Sequence, residues 1–180
     1  MSTRWPVEGK YRATRRVHDL HMHSRFVDGL TIRPLRDGDT GTVAALFARL
    51  GERSRERRFC GAKPRLSDVE LATLARVDAD HHVLVGYVDG DPEPAGIARL
   101  VRTGARAEIA FAVADAHQGR RVGTLLAEEL AADARGAGIV ELSATVCGDN
   151  PRVLALINRL GSVRMTWLGA EREVVVGLER

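Results

Sequence analysis

The chain has 180 residues, 44% of them apolar and 28% charged, with a formal net charge of +3. That length and apolar share suit one domain with a real core, and no stretch is long and apolar enough to cross a membrane. The mild positive charge admits an anionic ligand but does not argue for nucleic acid. The two cysteines, Cys60 and Cys147, lie in no CxxC pair. They are too few for a disulfide scaffold or a cysteine-rich zinc site and are expected as small buried side chains.

Residues 1–29 stand apart. They hold Arg4, Lys10, Arg12, Arg15, Arg16 and Arg25 with little periodicity, and read as a basic, partly ordered N-terminal extension. The opening MSTRWPVEGK lacks a hydrophobic signal core, so the cytoplasm is the expected location. His18, His21 and His23 form an HxxHxH cluster with no acidic or cysteine ligand at a known spacing, so no metal site is expected. Part of this segment is expected to pack on the main domain or on a partner subunit. A homodimer through it, or through exposed sheet edges, is one expectation.

The main domain is expected over 30–180. LTIRPL, Leu30 to Leu35, reads as a strand stopped by Pro34. Asp37 or Asp39 caps a helix carrying Val43, Leu46, Phe47 and Leu50. A second helix surrounds Arg53 to Phe59, within RLGERSRERR, whose mixed charges read as a solvated face. Ser67 caps a third, Asp68 to Arg76. His82–Val88, Ala95–Val101 and Ala107–Val113 read as three strands joined by tight turns, an antiparallel meander.

HQGRRVGTLLAEEL then opens a longer helix that stops near Gly136 or Gly138. Ile139–Val146 is a buried strand. Asp149 or Asn150 caps the helix PRVLALINRL, with Pro151 at its first position, and Gly161 ends it. Strands at Val163–Leu168 and Glu171–Leu178 close the chain. The element order is α+β, a mixed α/β sheet protein.

The helix start after His117 invites an anion. Its first amide hydrogens have no intrahelical partner, and the peptide dipoles add positive charge there. Gly119 and Gly123 allow close approach, and Arg120 and Arg121 add charge-assisted contacts. A phosphate or pyrophosphate is the natural guest. The stretch matches neither the GxGxxG fingerprint nor a P-loop. A plain helix cap is the other reading of the same residues.

With Gln118, Gly119, Arg120, Arg121, Val122 and Gly123 in the positions of a QxxGxG signature, and AEIAFAVADAHQGRRVGTLLAEEL around them, the chain resembles the GNAT superfamily of N-acetyltransferases over about Leu30 to Leu178. In look it is similar to the bacterial protein lysine acetyltransferases, and LGERSRERRFCG, Leu50 to Gly61, resembles the segment after their first helix. The resemblance implies an acceptor-side segment whose arginines either attract an acidic acceptor surface or are exposed helix decoration. The resemblance implies a twisted, mostly antiparallel sheet of six or seven strands with four or five helices, splayed between the fourth and fifth strands. It implies acetyl-CoA in that cleft, with the pyrophosphate on the amides from Gln118 to Thr124. Phe111, Ala112 and Val113 would flank the pantetheine, and Asn150 and Arg152 would face the cofactor. Glu108 matches the glutamate proposed as general base in those relatives. A tyrosine often cast as general acid falls at Ile157, Arg121 replaces the first signature glycine, and Ser162 replaces a phenylalanine.

The implied activity is acetyl transfer to a primary amine, on a protein lysine or a small molecule, without nucleic acid or membrane as partner. Two other readings stay open: a non-catalytic acyl-CoA-binding module, and an interaction protein whose cofactor site is lost. His117 reads as an ordinary turn residue, and His81 and His82 as surface or structural groups.

Overall fold

A computed structural model describes residues 24–148 and 150–178. The HxxHxH cluster therefore lies outside the described residues. Strands β1 (Arg25–Val27) and β2 (Leu30–Pro34) form a hairpin, followed by helices α1 (Thr40–Ala48), α2 (Glu52–Phe59) and α3 (Asp68–Leu74). The meander β3 (His81–Val88), β4 (Gly96–Thr103) and β5 (Arg106–Val113) comes next. A short 3-10 turn, Asp115–His117, leads into α4 (Val122–Gly136), then β6 (Glu141–Cys147), α5 (Pro151–Ile157), β7 (Ser162–Leu168) and β8 (Glu171–Gly177).

The described strands make one eight-stranded sheet in the order β1-β2-β3-β4-β5-β6-β8-β7. The sequence predicts six or seven. The additional strand is β1, at the end of the basic 1–29 segment, where Arg25 to Val27 pair with Ile32 to Leu30. Three residues with no alternating pattern of their own are recruited by an open sheet edge, which no local signal announces.

Capping residues set the helix starts. Asp39, not Asp37, accepts from the Thr42 amide at 3.0 Å and caps α1. Ser67 and Glu70 form a reciprocal capping box on α3. Asn150 caps α5 ahead of Pro151, whose missing N–H costs nothing there. Helix α5 ends at Ile157, three residues short of the expected end at Leu160. Gly161 follows because a Cβ there would run into the Gly177 carbonyl. Among the described residues no helix is long and apolar enough to cross a membrane.

The sheet carries apolar groups on both faces. The larger core joins Leu84, Leu100 and Ile109 to Leu126, Leu130 and Leu142. A smaller one joins Val83 and Val85 to Leu35, Val43 and Ala75. In the larger core His82 on β3 meets Asp133 on α4, Nε2 to Oδ2 at 2.7 Å, with the side chains 0% and 1% exposed.

The cysteines depart from expectation. Cys60 is exposed, Cys147 is half-buried, and the two are joined as a disulfide. It ties the residue after α2 to the last residue of β6, across 87 positions of sequence. Only the approach of these two elements in space makes the pairing visible.

Candidate active site

Parallel β5 and β6 stay paired only through Arg106↔Glu141, Ala107↔Leu142 and Glu108↔Ser143. Beyond Glu108, β5 follows β4 as far as Val113↔Gly96, while β6 follows β8 as far as Cys147↔Glu171. Each strand keeps its own antiparallel partner, and sheet twist carries the two apart. A cavity of about 760 Å³ opens in the gap, walled by β5 from Glu108 to Val113, the start of α4, α5 and the end of α2. That volume falls within the range of roughly 300–1,000 Å³ found for small-molecule clefts.

The β5 edge in this gap is unpaired backbone. Ala114 donates to Ala95 on the β4 side at 2.9 Å. By strand alternation the amides of Phe111 and Val113 then face the cleft. An extended chain laid in the gap would meet donors and acceptors at strand spacing. Phe111, Ala112 and Val113, singled out from the sequence, all line the cavity.

At the start of α4 the amides of Gly119 through Thr124 donate to no backbone or side-chain acceptor among the described residues. The sequence extends this set to Gln118, but the Gln118 amide is already bonded to the Asp115 carbonyl at 3.3 Å. Gly119, Val122, Gly123 and Thr124 line the cavity, so these orphaned donors open onto it. Gly123 has a packing reason as well, because a Cβ there would stand 3.3 Å from both Val113 and Leu156. Arg120 does not line the cavity.

Arg121 occupies the left-handed region, φ 63° and ψ 0°, as the residue before α4. This is why a glycine suits the position: a side chain in that conformation costs about 1–2 kcal/mol. Its guanidinium turns to Asp28 on the β1–β2 hairpin, Nη1 to Oδ2 at 2.9 Å, an exposed pair worth about 0–1 kcal/mol. The strain outweighs the pair, so Arg121→Gly should stabilise the fold by about 0.5–1 kcal/mol. A melting temperature raised by roughly 2–4 °C is the expected readout. An unchanged or lower value would show that the Asp28 pair dominates.

Gln118 works through its side chain. Its amide nitrogen lies 3.1 Å from Ser54 Oγ, 3.2 Å from the Val113 carbonyl and 3.1 Å from Asp115 Oδ1. Its oxygen accepts from Arg152 at 3.2 Å. Asp115 in turn accepts from the Gly51 amide and from Ser54 Oγ, supplying the cap that Gly51 cannot give α2. One loop thus fixes α2, β5 and α5 around the cavity.

His117 is a buried group rather than an ordinary turn residue. Its Nε2 stands 2.9 Å from Asp91 Oδ2 and 3.2 Å from Arg49 Nη2. The Arg49 guanidinium first, then the Glu93 amide and His117, hold the Asp91 carboxyl well below the usual carboxylate range. Together they pin the loop that precedes α4.

Asn150 and Arg152 both line the cavity from α5. The Asn150 oxygen caps Val153 at 3.4 Å, which leaves its amide hydrogens to the cleft. Glu108 lines the cavity where the strands part, and it is exposed. Ile157 is fully buried in the core and does not line the cavity, whose described lining contains no tyrosine.

The sequence does not single out Arg58 among the arginines of its segment. Read as part of a solvated face, it instead turns into the cavity wall and stacks on Phe59, 5.1 Å from the ring centroid. Burial, and secondarily the positive charge of Arg99, pulls its guanidinium below the usual arginine range, against the opposing pull of Glu108. The only sequence signal is position: Arg58 is next to Phe59, the one aromatic of α2.

The profile of the Acetyltransferase (GNAT) family matches residues 47–161. Acetyltransferase Pat of Mycolicibacterium smegmatis is 33% identical over 151 residues, which are 81% of this chain and 44% of that protein. The chain thus spans under half the length of that relative. The crystal structure of the GNAT domain of S. lividans PAT is similar with a TM-score of 0.74 and 27% identity, over 83% of this chain and 90% of that one. The structure of yncA from Salmonella typhimurium with its cofactor acetyl-CoA shares the fold, TM-score 0.63 at 20% identity, over 84% and 95% of the two chains. A signature loop at the mouth of a splayed sheet and a family match over residues 47–161 lead to one conclusion: the chain belongs to the acetyltransferase (GNAT) family.

Proposed function

We propose that this chain transfers an acetyl group from acetyl-CoA to a primary amine, on a protein lysine or a small molecule, with 30–180 as the catalytic domain. The observation that carries the reading is the continuity of the cleft. Orphaned amides from Gly119 to Thr124 at one side lead along the open β5 edge to the Glu108 carboxylate.

The donors at the start of α4 suit a pyrophosphate, through unpaired N–H groups and helix dipole together. The open edge of β5 suits an amide-bearing chain such as pantetheine, which would add as a short strand. Bound acetyl-CoA supplies an acyl group already activated as a thioester. A cleft-facing amide of Phe111 or Val113 would hydrogen-bond the carbonyl oxygen as charge develops on it. Glu108 would accept the amine proton, directly or through a water, as the N–C bond forms. The thioester C–S bond would then break, and CoA would leave as a thiolate that takes a proton from water. Much of the rate would come from holding the two reactants together. The cytoplasm, expected from the sequence, suits an enzyme that uses acetyl-CoA.

Thr124→Glu tests the anion site without harming the helix. A carboxylate in the first turn favours the macrodipole, so the fold should hold. It competes with the pyrophosphate for the same amides. Calorimetry should show acetyl-CoA affinity reduced at least about tenfold, the scale of one lost charge-assisted contact. Equal affinity for parent and variant would move the cofactor elsewhere, and no binding by the folded parent would end the transferase reading.

A further inference from the structure

The end of the cavity away from the α4 amides carries an unbalanced charge. Helix α2 packs against β5 and β6 there. It brings Arg57 and Arg58 to the same wall as Glu108. Arg99 on β4 stands within electrostatic reach of both Arg58 and Glu108. Arg58 and Arg99 both feel the Glu108 carboxylate, and Arg99 feels Asp78 as well. Arg99 donates to the Thr73 carbonyl at 3.2 Å. Arg58 makes no hydrogen bond and no ion pair among the described residues; its planar head lies on the Phe59 ring. Its pKa is pulled down chiefly by burial and secondarily by Arg99, against the pull of Glu108.

A half-buried guanidinium that lines the cavity with no partner of its own among the described residues is free to take a carboxylate from a ligand. From the Arg58, Arg99 and Glu108 arrangement we infer that the acceptor is an amine bearing a carboxylate close to its reacting nitrogen, which Arg58 binds. In a protein this is a lysine next to an aspartate or glutamate; in a small molecule it is an amino acid. The fork of the guanidinium fits a carboxylate with two hydrogen bonds, and Phe59 fixes its plane. The acceptor carboxylate satisfies Arg58, which leaves the Glu108 carboxylate for the amine. The inference rests on the proposed amine transfer for its reaction, but not for the binding of the anion.

The test reads binding without turnover. The protein saturated with CoA is titrated with fluorescent peptides carrying one lysine, flanked by glutamate or by glutamine, and free glutamate and lysine serve as competitors. The Glu-flanked peptide should bind about tenfold or more tightly than the Gln-flanked one. Arg58→Gln should erase that difference, and Arg58→Lys should restore part of it by keeping the charge. If the peptides bind tightly but glutamate does not compete, the source is a protein acceptor; if glutamate competes and the peptides do not bind, it is a small one. Equal affinity for both peptides, with no competition by glutamate, would overturn the inference. Discrimination that depends on Arg58 without any acetyl transfer would keep the anion site and sink the transferase reading instead.

Discussion

Glu108→Gln should lower kcat by roughly 10²–10³-fold, the usual contribution of a positioned general base. The carboxylate lines the cavity where β5 and β6 part, and no hydrogen bond within the described residues occupies it. An amide of the same shape keeps the wall intact and cannot take a proton. Acetyl-CoA binds along β5 and at α4 in the proposed arrangement, so its KM should stay within about twofold. Steady-state kinetics with saturating acetyl-CoA separates the two constants. A loss confined to KM would make Glu108 a binding group for the acceptor. A parent-like kcat would remove it from the chemistry and leave proximity and the β5 amides to supply the rate.

Asp133→Ala should destabilise the fold by about 3 kcal/mol. The His82 Nε2 bonded to Asp133 is 0% exposed, so the variant takes away the carboxylate partner of a buried nitrogen. Truncation leaves a buried polar nitrogen as well as a cavity. Urea unfolding should show the midpoint falling with little change in slope. The double variant His82→Leu with Asp133→Leu removes both polar groups and should recover most of the loss. If Asp133→Ala costs under about 1 kcal/mol, the pair is not the tie between β3 and α4 that its burial implies.

How much of this was legible beforehand varies by element. The helix starts were, because Asp39, Ser67 and Asn150 cap through contacts three residues along the chain. The three meander strands were, because alternation and turn residues are local. The signature loop was found from six consecutive positions, and all but Arg120 of those six line the cavity. Strand β1 was not, since its pairing comes from an edge that already exists. The left-handed backbone at Arg121 was not either, because an arginine carries no mark of φ 63°.

The sequence by itself determined the element order from β2 onward, the local caps of α1, α3 and α5, and the loop that marks the family. All of these rest on contacts within a few residues, where spacing is information. The tertiary structure decided what lies opposite what: Cys60 on Cys147, His82 on Asp133, Asp115 under α2, and Arg58 beside Glu108. Those pairs are separated by 50 to 87 positions, and only the twist and splay of the sheet brings them within reach. The charge around Arg58 and Glu108 therefore belongs to the fold, whereas the unpaired amides at the start of α4 follow from the local chain.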